Sequence, residues 1–556
     1  YTRIGRRHPW LYGAAVPLGL AWLLLWSPPS DPTLLFPYLV IVAVVCVLCA
    51  AMSQPLRAGF DLGMVAQSLE NPMQRRQFLS AAALSGAAMA SPAILRASPR
   101  QNEDICLVGE ILRALHPGLY RYLSPLAFEA GLTQLGSRWN AAPELEDRFL
   151  ALTGFLASIR CGHSYPSFYN QQRPVAQRLF SRKDRVPLAF RWIGGRMVVT
   201  ENQTEGIWLP KGSVIKAIDG VPADAILRRL MPLVRADGGN DGKRRALLSA
   251  TGADEIETFD VLRGLVFGAP RDGKFNVHFR APGTRCDAWV ELPAVDLAAR
   301  QRFIRALDPR SNEPIWQWQM GPDGIAVLTM PGWAVYNSKW DWQSWLNERL
   351  DSLTGAKGLI VDLRENEGGN DCGDLILARL SGRDIARPQA NRLVRYRQVP
   401  EALNRYLDTW DNSFRNWGDT AVSHSDRFLR LTRTDDSGEI AARGPRLAVP
   451  MAVLTSAQNS SATFQFASLV KATGLGTLVG ETTGGNRRGI NGGAFFFVRL
   501  PESGIEFDLP LIGYFPAGTQ PDAGIEPVLP VSNSAADIAA GYDRVLETAR
   551  KALLQR

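Results

Sequence analysis

The chain has 556 residues, of which 46% are hydrophobic and 21% are charged. This composition is typical of a globular protein and excludes a wholly disordered chain, and the length predicts two or three domains. The formal net charge is +8, but residues 1–100 hold eight of the 62 basic and three of the 54 acidic residues, leaving 54 against 51 beyond them. Because the remainder is nearly balanced, net charge gives no support to nucleic-acid binding.

Two apolar segments occur early in the chain, at residues 9–26 and 33–52, and each is about long enough to cross a bilayer. We interpret residues 1–72 either as a membrane anchor or as sequence upstream of the true start of the protein. Met73 is the candidate start residue in the second interpretation. Cys46 and Cys49 lie inside the second segment, so a lipid-facing position is favoured over a redox or metal pair.

Residues 73–100 resemble a twin-arginine export signal. The pair Arg75 and Arg76 precedes a Phe-Leu pair and then a mildly apolar, alanine-rich stretch that ends in small residues. The sequence therefore predicts a periplasmic or otherwise exported protein that uses the twin-arginine export machinery. Membrane attachment through residues 9–52 is the alternative to release.

The rest of the chain is predicted to hold three domains. From 101 to 180, apolar residues recur at helical spacing, as in FLALTGFLASI, which predicts a helical domain. Residues 181–315 show short alternating strands, and SVIKAIDGVPADAILRRL predicts a strand, a turn and a helix. From 316 to 556, the apolar runs IAVLTM, GLIVDLR and LAVPMAVLT are each followed by a helix-like segment, which indicates an α/β layer. A polar stretch at about 383–444 is interpreted as an insertion or lid.

A hydroxyl cluster follows the last of these apolar runs, in LTSAQNSSATFQFASLV. A strand is predicted to end at Thr455 and a helix to begin near Ser460, so Ser461 falls at a strand-to-helix turn. At a helix start, free backbone N–H groups and the helix dipole favour the oxyanion formed in acyl transfer. An N-cap role is the alternative for this serine, and Ser460 is the competing nucleophile.

A second feature supports the catalytic interpretation. GLIVDLRENEGGND places Gly368 and Gly369 just after a buried strand, where backbone without side chains can approach a substrate and donate N–H groups. DLRENEGG, NSSATFQFASLVKATGLGTLVGETTGG and GTQPDAGIEP together resemble, in order and spacing, the C-terminal processing and tricorn-like serine peptidases, over about residues 321–531.

That resemblance implies an α/β fold, with a ClpP/crotonase-type catalytic core behind an N-terminal helical domain and a PDZ-like α+β module. It implies Ser461 as the nucleophile, a polypeptide substrate, and an oxyanion hole formed by Gly368, Gly369 and Ala462. No metal or nucleotide cofactor is indicated by the motifs, and covalent serine catalysis needs none.

The general base is the point at which the sequence departs from the commonest family pattern. Many members use a lysine, but the corresponding position here is Asn486, and the adjacent Arg487 and Arg488 stay protonated. The tricorn-like branch takes a histidine from the region before the PDZ-like module, which implies His163. A neutral imidazole can take the serine proton and return it to the leaving amine. The other histidines after the signal are His116, His278 and His424.

The resemblance also implies supporting groups. It places the acidic partner of the histidine in PDAGIEP, at Asp522, with Glu526 in reserve. Ser164 is expected to link the imidazole to that acid, and Glu481 in GETTGG to support a turn over the site. The sequence thus predicts an exported serine endopeptidase. The runner-up is a catalytically inactive relative that binds peptides or small apolar ligands in the same cleft, and an esterase is the third interpretation.

Overall fold

The computed structural model describes residues 102–555 apart from 253, 308–313, 337, 389 and 433–437. The two apolar segments and the twin-arginine segment predicted from the sequence lie outside the described residues. Within the described part, no helix combines the length and the hydrophobicity that a bilayer crossing requires.

Helices make up the beginning of the described chain and alternate with strands afterwards. In chain order they are α1 (Glu103–Leu115), α2 (Pro125–Ala141), α3 (Leu145–Ser158), α4 (Arg173–Phe180), α5 (Ala223–Leu230), α6 (Asp241–Leu247), α7 (Thr258–Phe267), α8 (Leu297–Leu307), α9 (Trp342–Asp351), α10 (Gly373–Ser381), α11 (Ser461–Thr473), α12 (Ala535–Ala540) and α13 (Arg544–Leu554).

The strands form three larger sheets and one short pair. They are β1 (Leu188–Ile193), β2 (Arg196–Asn202), β3 (Val214–Ile218), β4 (Val221–Pro222), β5 (Lys274–Arg280), β6 (Ala288–Pro293), β7 (Gln317–Met320), β8 (Ile325–Thr329), β9 (Gly358–Asp362), β10 (Ile385–Ala386), β11 (Ala390–Val394), β12 (Leu407–Asp408), β13 (Ala421–Ser425), β14 (Phe428–Leu431), β15 (Glu439–Ile440), β16 (Met451–Thr455), β17 (Gly476–Gly480), β18 (Asn491–Arg499), β19 (Glu506–Pro516) and β20 (Leu529–Pro530).

The first sheet belongs to the PDZ-like module. Its antiparallel strands lie in the order β1-β2-β3-β5-β6, and β4 pairs with β3. Asp219 and Gly220 both have positive φ, +50° and +75°, as a two-residue hairpin turn of this hand requires. The chain then enters α5, so the strand, turn and helix predicted for this segment are confirmed, with a two-residue strand added.

The second sheet is the buried layer predicted from the continuous apolar runs. Its order is β20-β17-β16-β9-β8-β7, parallel except for β7 at one edge. Apolar residues of β8, β9 and β16 are buried on one face against α9, α10 and α11 and on the other against α13. Thr329 and Leu454 each pair with Asp362, so these three strands end level with one another. The loops that follow them therefore leave the sheet at one edge.

The third sheet is antiparallel, in the order β12-β18-β19-β11-β14-β13. The stretch interpreted as an insertion or lid supplies β11 to β14 and is thus part of this sheet. Buried residues of the helical domain, including Leu112 and Phe155, share one hydrophobic core with Phe496 and Leu509 of the sheet. This packing carries the loop after α3, which contains His163, onto the sheet.

Candidate active site

Ser461 lies where the chain enters α11, and its backbone has a φ of +52°. A positive φ is uncommon for a residue with a side chain and persists only where the surrounding structure imposes it. Among the described residues the Ser461 hydroxyl has no hydrogen-bond partner. The Ser460 hydroxyl, by contrast, donates to the Glu367 carbonyl at 3.1 Å. Of the two candidate nucleophiles, Ser461 therefore has the available hydroxyl.

Residues 367–369, here called the glycine turn, lie directly against the start of α11. Gly368 and Gly369 have φ values of +110° and +132°, which favour glycine. A Cβ atom on Gly368 would lie 2.9 Å from Ser461 Cβ and 3.0 Å from Ala462 N. The absence of a side chain is thus what allows the turn to approach the serine.

The backbone N–H groups at this contact are not all free to bind a substrate oxygen. The Gly368 N–H donates to Asn366 Oδ1 at 2.9 Å, so it is already used. In the described part of the chain, the N–H groups of Gly369 and Ala462 have no acceptor. Of the three residues predicted to form an oxyanion hole, these two carry N–H groups that remain available for an incoming oxygen.

Polar side chains that the sequence reasoning missed hold the two turns together. Asn459 Nδ2 donates to the carbonyls of Leu363 and Asn366, at 2.5 and 3.0 Å. Thr463 Oγ1 donates to the same Asn366 carbonyl at 3.0 Å. Because these bonds are buried, they fix the loop after β9 on the loop after β16. The sequence signal was present as the polar residues flanking the serine pair in NSSAT.

His163 lies in residues 160–165, here called the histidine loop. Two residues of the PDZ-like module hold this loop: Asp237 Oδ1 accepts from the Gly162 N–H at 2.9 Å, and Arg235 Nη1 donates to the Gly162 carbonyl at 3.0 Å. The imidazole packs against Phe495 of β18, with ring centroids 5.8 Å apart. Its Nδ1 is buried and has no partner among the described residues.

Charged groups surround the imidazole on several sides. Burial lowers the pKa of His163 below its ordinary value of 6.5; Asp237 and Glu367 oppose this, while Arg235 and Lys243 reinforce it. Glu367 belongs to the glycine turn, so the histidine loop and the glycine turn are close enough to interact electrostatically. The imidazole is consequently neutral at neutral pH, as a general base must be.

The structure places two aspartates in this region. Asp522 Oδ1, predicted from the sequence as the acidic partner, accepts from the Gly239 N–H at 2.8 Å and from Asn486 Nδ2 at 2.6 Å. Asn486 also donates to the Asp237 carbonyl at 3.1 Å. Asp522 is thus connected to the segment of Asp237, whose own carboxylate holds the histidine loop. The role of Asp522 stays a prediction, and Asp237 is a candidate that the motifs did not reveal.

Lys243, at the start of α6, lies beside the glycine turn. Its Nζ donates to Glu367 Oε1 and the Gln458 carbonyl, both at 2.7 Å, and to Gln458 Oε1 at 3.3 Å. Burial lowers the pKa of Lys243, while the Glu367 carboxylate opposes this. Lys243 therefore contacts Glu367 directly and helps to hold it in place.

The remaining predicted residues lie around this centre. Ser164 was expected to link the His163 imidazole to the acid, but its Oγ is instead hydrogen-bonded to His116 Nε2 at 2.9 Å, and both of these residues are buried. The Glu481 N–H donates to the Thr455 carbonyl, and Thr455 Oγ1 donates to the Glu481 carbonyl, both at 2.9 Å. The exposed side chain of Glu481 lines a cavity of about 340 Å³. Glu526 is exposed, and its carbonyl accepts from Lys471 Nζ at 2.7 Å.

Among the described residues, no cluster of His, Cys, Asp and Glu could hold a metal ion.

Comparison with known families bears on the region that contains both turns. Residues 324–527 match the sequence profile of Peptidase family S41. This range includes the glycine turn and Ser461, whose contact is described above. Residues 324–527 belong to peptidase family S41.

Two solved structures of CPAF agree with this assignment at the level of the fold. A CPAF mutant and mature CPAF complexed with lactacystin both match with a TM-score of 0.55 and 16% identity. The matches cover 82% and 81% of this chain, and 96% and 97% of the CPAF chains. The photosystem II D1 C-terminal processing protease matches 81% of this chain and 97% of its own, at 14% identity and a TM-score of 0.36. The predicted fold class, an α/β core of the tail-specific peptidase type with a helical domain and a PDZ-like module, is confirmed.

A second family profile matches the beginning of the chain. Residues 1–96 match the profile of MFS/sugar transport protein, and these residues lie outside the described part of the chain. Among curated proteins no match was found.

The S41 domain does not hold every predicted site residue. It contains Ser461, the glycine turn and the predicted acid Asp522, whereas His163 precedes residue 324, as does Asp237, which the sequence did not predict. His163, the predicted base, thus reaches the S41 domain from the helical domain, and residues of the PDZ-like module hold its loop there.

Substitution of Gly369 tests the packing of the glycine turn. A Cβ at this position would overlap the backbone carbonyl of Trp333. Gly474, at the end of α11, also has positive φ, +67°, but has open space around it. We expect Gly474→Ala to cost about 1–2 kcal/mol from its backbone conformation alone. Gly369→Ala should cost more, because the overlap adds to that strain.

Urea unfolding of the two variants measures this difference. Equal losses of stability would show that the glycine turn has room for a side chain and is not fixed by close packing.

Proposed function

We propose that this chain is an exported serine endopeptidase that hydrolyses peptide bonds through an acyl-enzyme on Ser461. The observation that carries the proposal is the close approach of the glycine turn to Ser461, a residue at positive φ with an available hydroxyl, inside an S41 domain. A helix-capping serine would instead use its hydroxyl on a backbone N–H of the first turn. Neither Ser460 nor Ser461 does so in this helix.

In the first half-reaction, Ser461 Oγ attacks the scissile carbonyl carbon while His163 takes the hydroxyl proton. The carbonyl oxygen becomes an oxyanion, which the N–H groups of Gly369 and Ala462 stabilise. Preorganised N–H donors are effective because they favour the charge that develops in the transition state. Collapse of the intermediate expels the amine, which receives the proton from His163, and the acyl group stays on Ser461.

In the second half-reaction, water takes the place of the amine. His163 removes a proton from the water as it attacks the acyl carbon, and the same two N–H groups stabilise the second oxyanion. Return of the proton to Ser461 Oγ releases a carboxylic acid and regenerates the enzyme. A neutral imidazole at the start of each half-reaction is required, and burial of His163 supplies it.

Export is the second part of the proposal. It is supported by Arg75 and Arg76 in the twin-arginine pattern that precedes the helical domain. An exported endopeptidase would act on polypeptides outside the cytoplasm, either released or attached through residues 9–52.

A serine-directed fluorophosphonate probe tests the nucleophile. We expect the probe to label the wild-type protein and Ser460→Ala but not Ser461→Ala, because the Ser460 hydroxyl is bound to a carbonyl. Intact-mass spectrometry gives the stoichiometry. No labelling of folded wild-type protein would favour an inactive peptide-binding relative. Labelling together with ester turnover, but without peptide cleavage, would favour an esterase.

The pH dependence of kcat/KM tests the base and its partner. Activity needs neutral His163, whose pKa lies below 6.5, so kcat/KM should stay level near neutral pH and fall with a midpoint below 6.5. Asp237 raises the pKa of His163, so Asp237→Asn should move the midpoint to lower pH. Asp522→Asn should move it less.

A larger shift in Asp522→Asn than in Asp237→Asn would identify Asp522 as the acidic partner and reject Asp237. A midpoint above 6.5 in the wild type would contradict a buried imidazole as the base.

The export prediction is tested on the arginine pair. Joint replacement of Arg75 and Arg76 by lysine should retain the protein in the cytoplasm, since the export machinery reads the pair itself. Arg96→Lys, outside the pair, is the matched control. Cell fractionation followed by immunoblotting measures the distribution, and undiminished export of the double variant would contradict this route.

A further inference from the structure

Arg235 connects the two parts of the proposed site. Its Nη1 donates to the Gly162 carbonyl at 3.0 Å, next to His163, and its Nη2 donates to Glu367 Oε2 at 3.1 Å, next to Gly368. The guanidinium also lies 4.3 Å from the centroid of the Tyr165 ring. One side chain of the PDZ-like module thus contacts the histidine loop twice and the glycine turn once.

We propose that Arg235 is a positioning residue that sets the distance between the general base and the oxyanion-stabilising turn. This inference rests on the proposed function and assigns a role in it to the PDZ-like module. The guanidinium is planar and rigid, so its two terminal nitrogens hold their acceptors at a fixed separation. The histidine loop and the glycine turn come from different domains, and the described hydrogen bonds of Arg235 join them directly.

The carboxylate that pairs with Arg235 belongs to Glu367, and its surroundings favour the charged form. Burial alone would raise the pKa of Glu367, but Lys243 and Arg235 outweigh this and lower it to about 2. Lys243 holds Oε1 at 2.7 Å while Arg235 holds Oε2. Both oxygens are thereby fixed from the module side, and the Glu367 carbonyl on the other side accepts from Ser460. The charged pair therefore orients the backbone immediately before Gly368.

If Arg235 only stabilised the PDZ-like module, replacing it would affect the protein as replacing another arginine of the module does. Arg263 provides this matched control. Arg263 in α7 is buried and makes the same three kinds of contact: to the Gly268 carbonyl at 2.8 Å, to Asp219 Oδ2 at 3.1 Å, and to the Phe275 ring at 4.4 Å. All of these partners belong to the PDZ-like module itself. Arg263→Lys therefore disturbs the module without touching the histidine loop or the glycine turn.

The first experiment compares Arg235→Lys with Arg263→Lys in peptide hydrolysis, with active sites counted by fluorophosphonate labelling. Lysine keeps the positive charge at position 235 but lacks the two terminal nitrogens with which arginine holds two acceptors at a fixed separation. We expect kcat per labelled site to fall about 10²-fold in Arg235→Lys, with KM nearly unchanged, because misplacement by about 1 Å has effects of that size. In Arg263→Lys, kcat per labelled site should stay near the wild-type value.

The second experiment needs no activity. The charged groups that face His163 are Asp237, Arg235, Glu367 and Lys243. Arg235 lowers the pKa of His163 and Glu367 raises it, so Arg235→Met should raise this pKa and Glu367→Gln should lower it. The imidazole is titrated by NMR in the Ser461→Ala background, and its signal is assigned by its loss in His163→Gln. Loss of packing alone would move both variants in the same direction.

The outcomes separate this inference from the proposed function. Shifts of opposite sign show that Arg235 and Glu367 both lie beside His163, as the positioning role requires, even if the wild type fails to hydrolyse peptides, a failure that counts against the proposed function only. Shifts of the same sign, or a normal kcat per labelled site in Arg235→Lys, overturn the role of Arg235. Should Arg235→Met fail to fold, Arg235→Lys and Glu367→Gln still decide the question.

Discussion

The structure depends on the close approach of two loops at one edge of the parallel sheet. The glycine turn after β9 lies on the first residues of α11, and a single Cβ at Gly368 would come within 3.0 Å of the Ala462 nitrogen. Asn459 and Thr463 fix the approach by hydrogen bonds to carbonyls of the facing loop. Because side chains are absent at the contact, N–H groups line it, and those of Gly369 and Ala462 remain available. The available Ser461 hydroxyl lies at the same place.

His163, the predicted base, is positioned by contacts between separate parts of the chain. The histidine loop is carried by the helical domain, whose core is continuous with the third sheet, and its contacts with the glycine turn run through charged groups of the PDZ-like module. Lys243 is buried whereas Arg235 and Glu367 are partly exposed, and the three charged groups pair with one another by hydrogen-bonded ion pairs. The proposed reaction therefore requires the N-terminal helices, the PDZ-like module and the S41 domain to be correctly assembled around one serine.

Much of this arrangement could be predicted from the sequence. The runs GLIVDLR and LAVPMAVLT predicted buried strands because strands covered on both faces carry continuous apolar residues, and both are strands of the parallel sheet. The start of α11 at Ser461 followed from the position of the hydroxyl cluster. Local pattern was sufficient for these features, since each depends on residues that are neighbours in the chain.

The charged neighbours of His163 could not be predicted in the same way. Asp237 and Arg235 follow no spacing that relates them to Gly162, more than seventy residues earlier, and they meet it only through the packing of the module. The segment at 383–444 was interpreted as an insertion or lid because it is polar, but its strands join the third sheet through pairing with β18 and β19. Partners distant in sequence decide such contacts, and a single sequence does not reveal them.

The central claim is that Ser461, two backbone N–H groups and His163 converge on one reacting carbonyl. A crystal structure of the fluorophosphonate adduct tests it most directly. The account predicts phosphorus on Ser461 Oγ, a phosphoryl oxygen about 2.7–3.1 Å from the nitrogens of Gly369 and Ala462, and a His163 ring nitrogen within hydrogen-bond distance of the adduct. An adduct whose oxygen points away from both N–H groups, or with His163 on the far side of the turn, would contradict it.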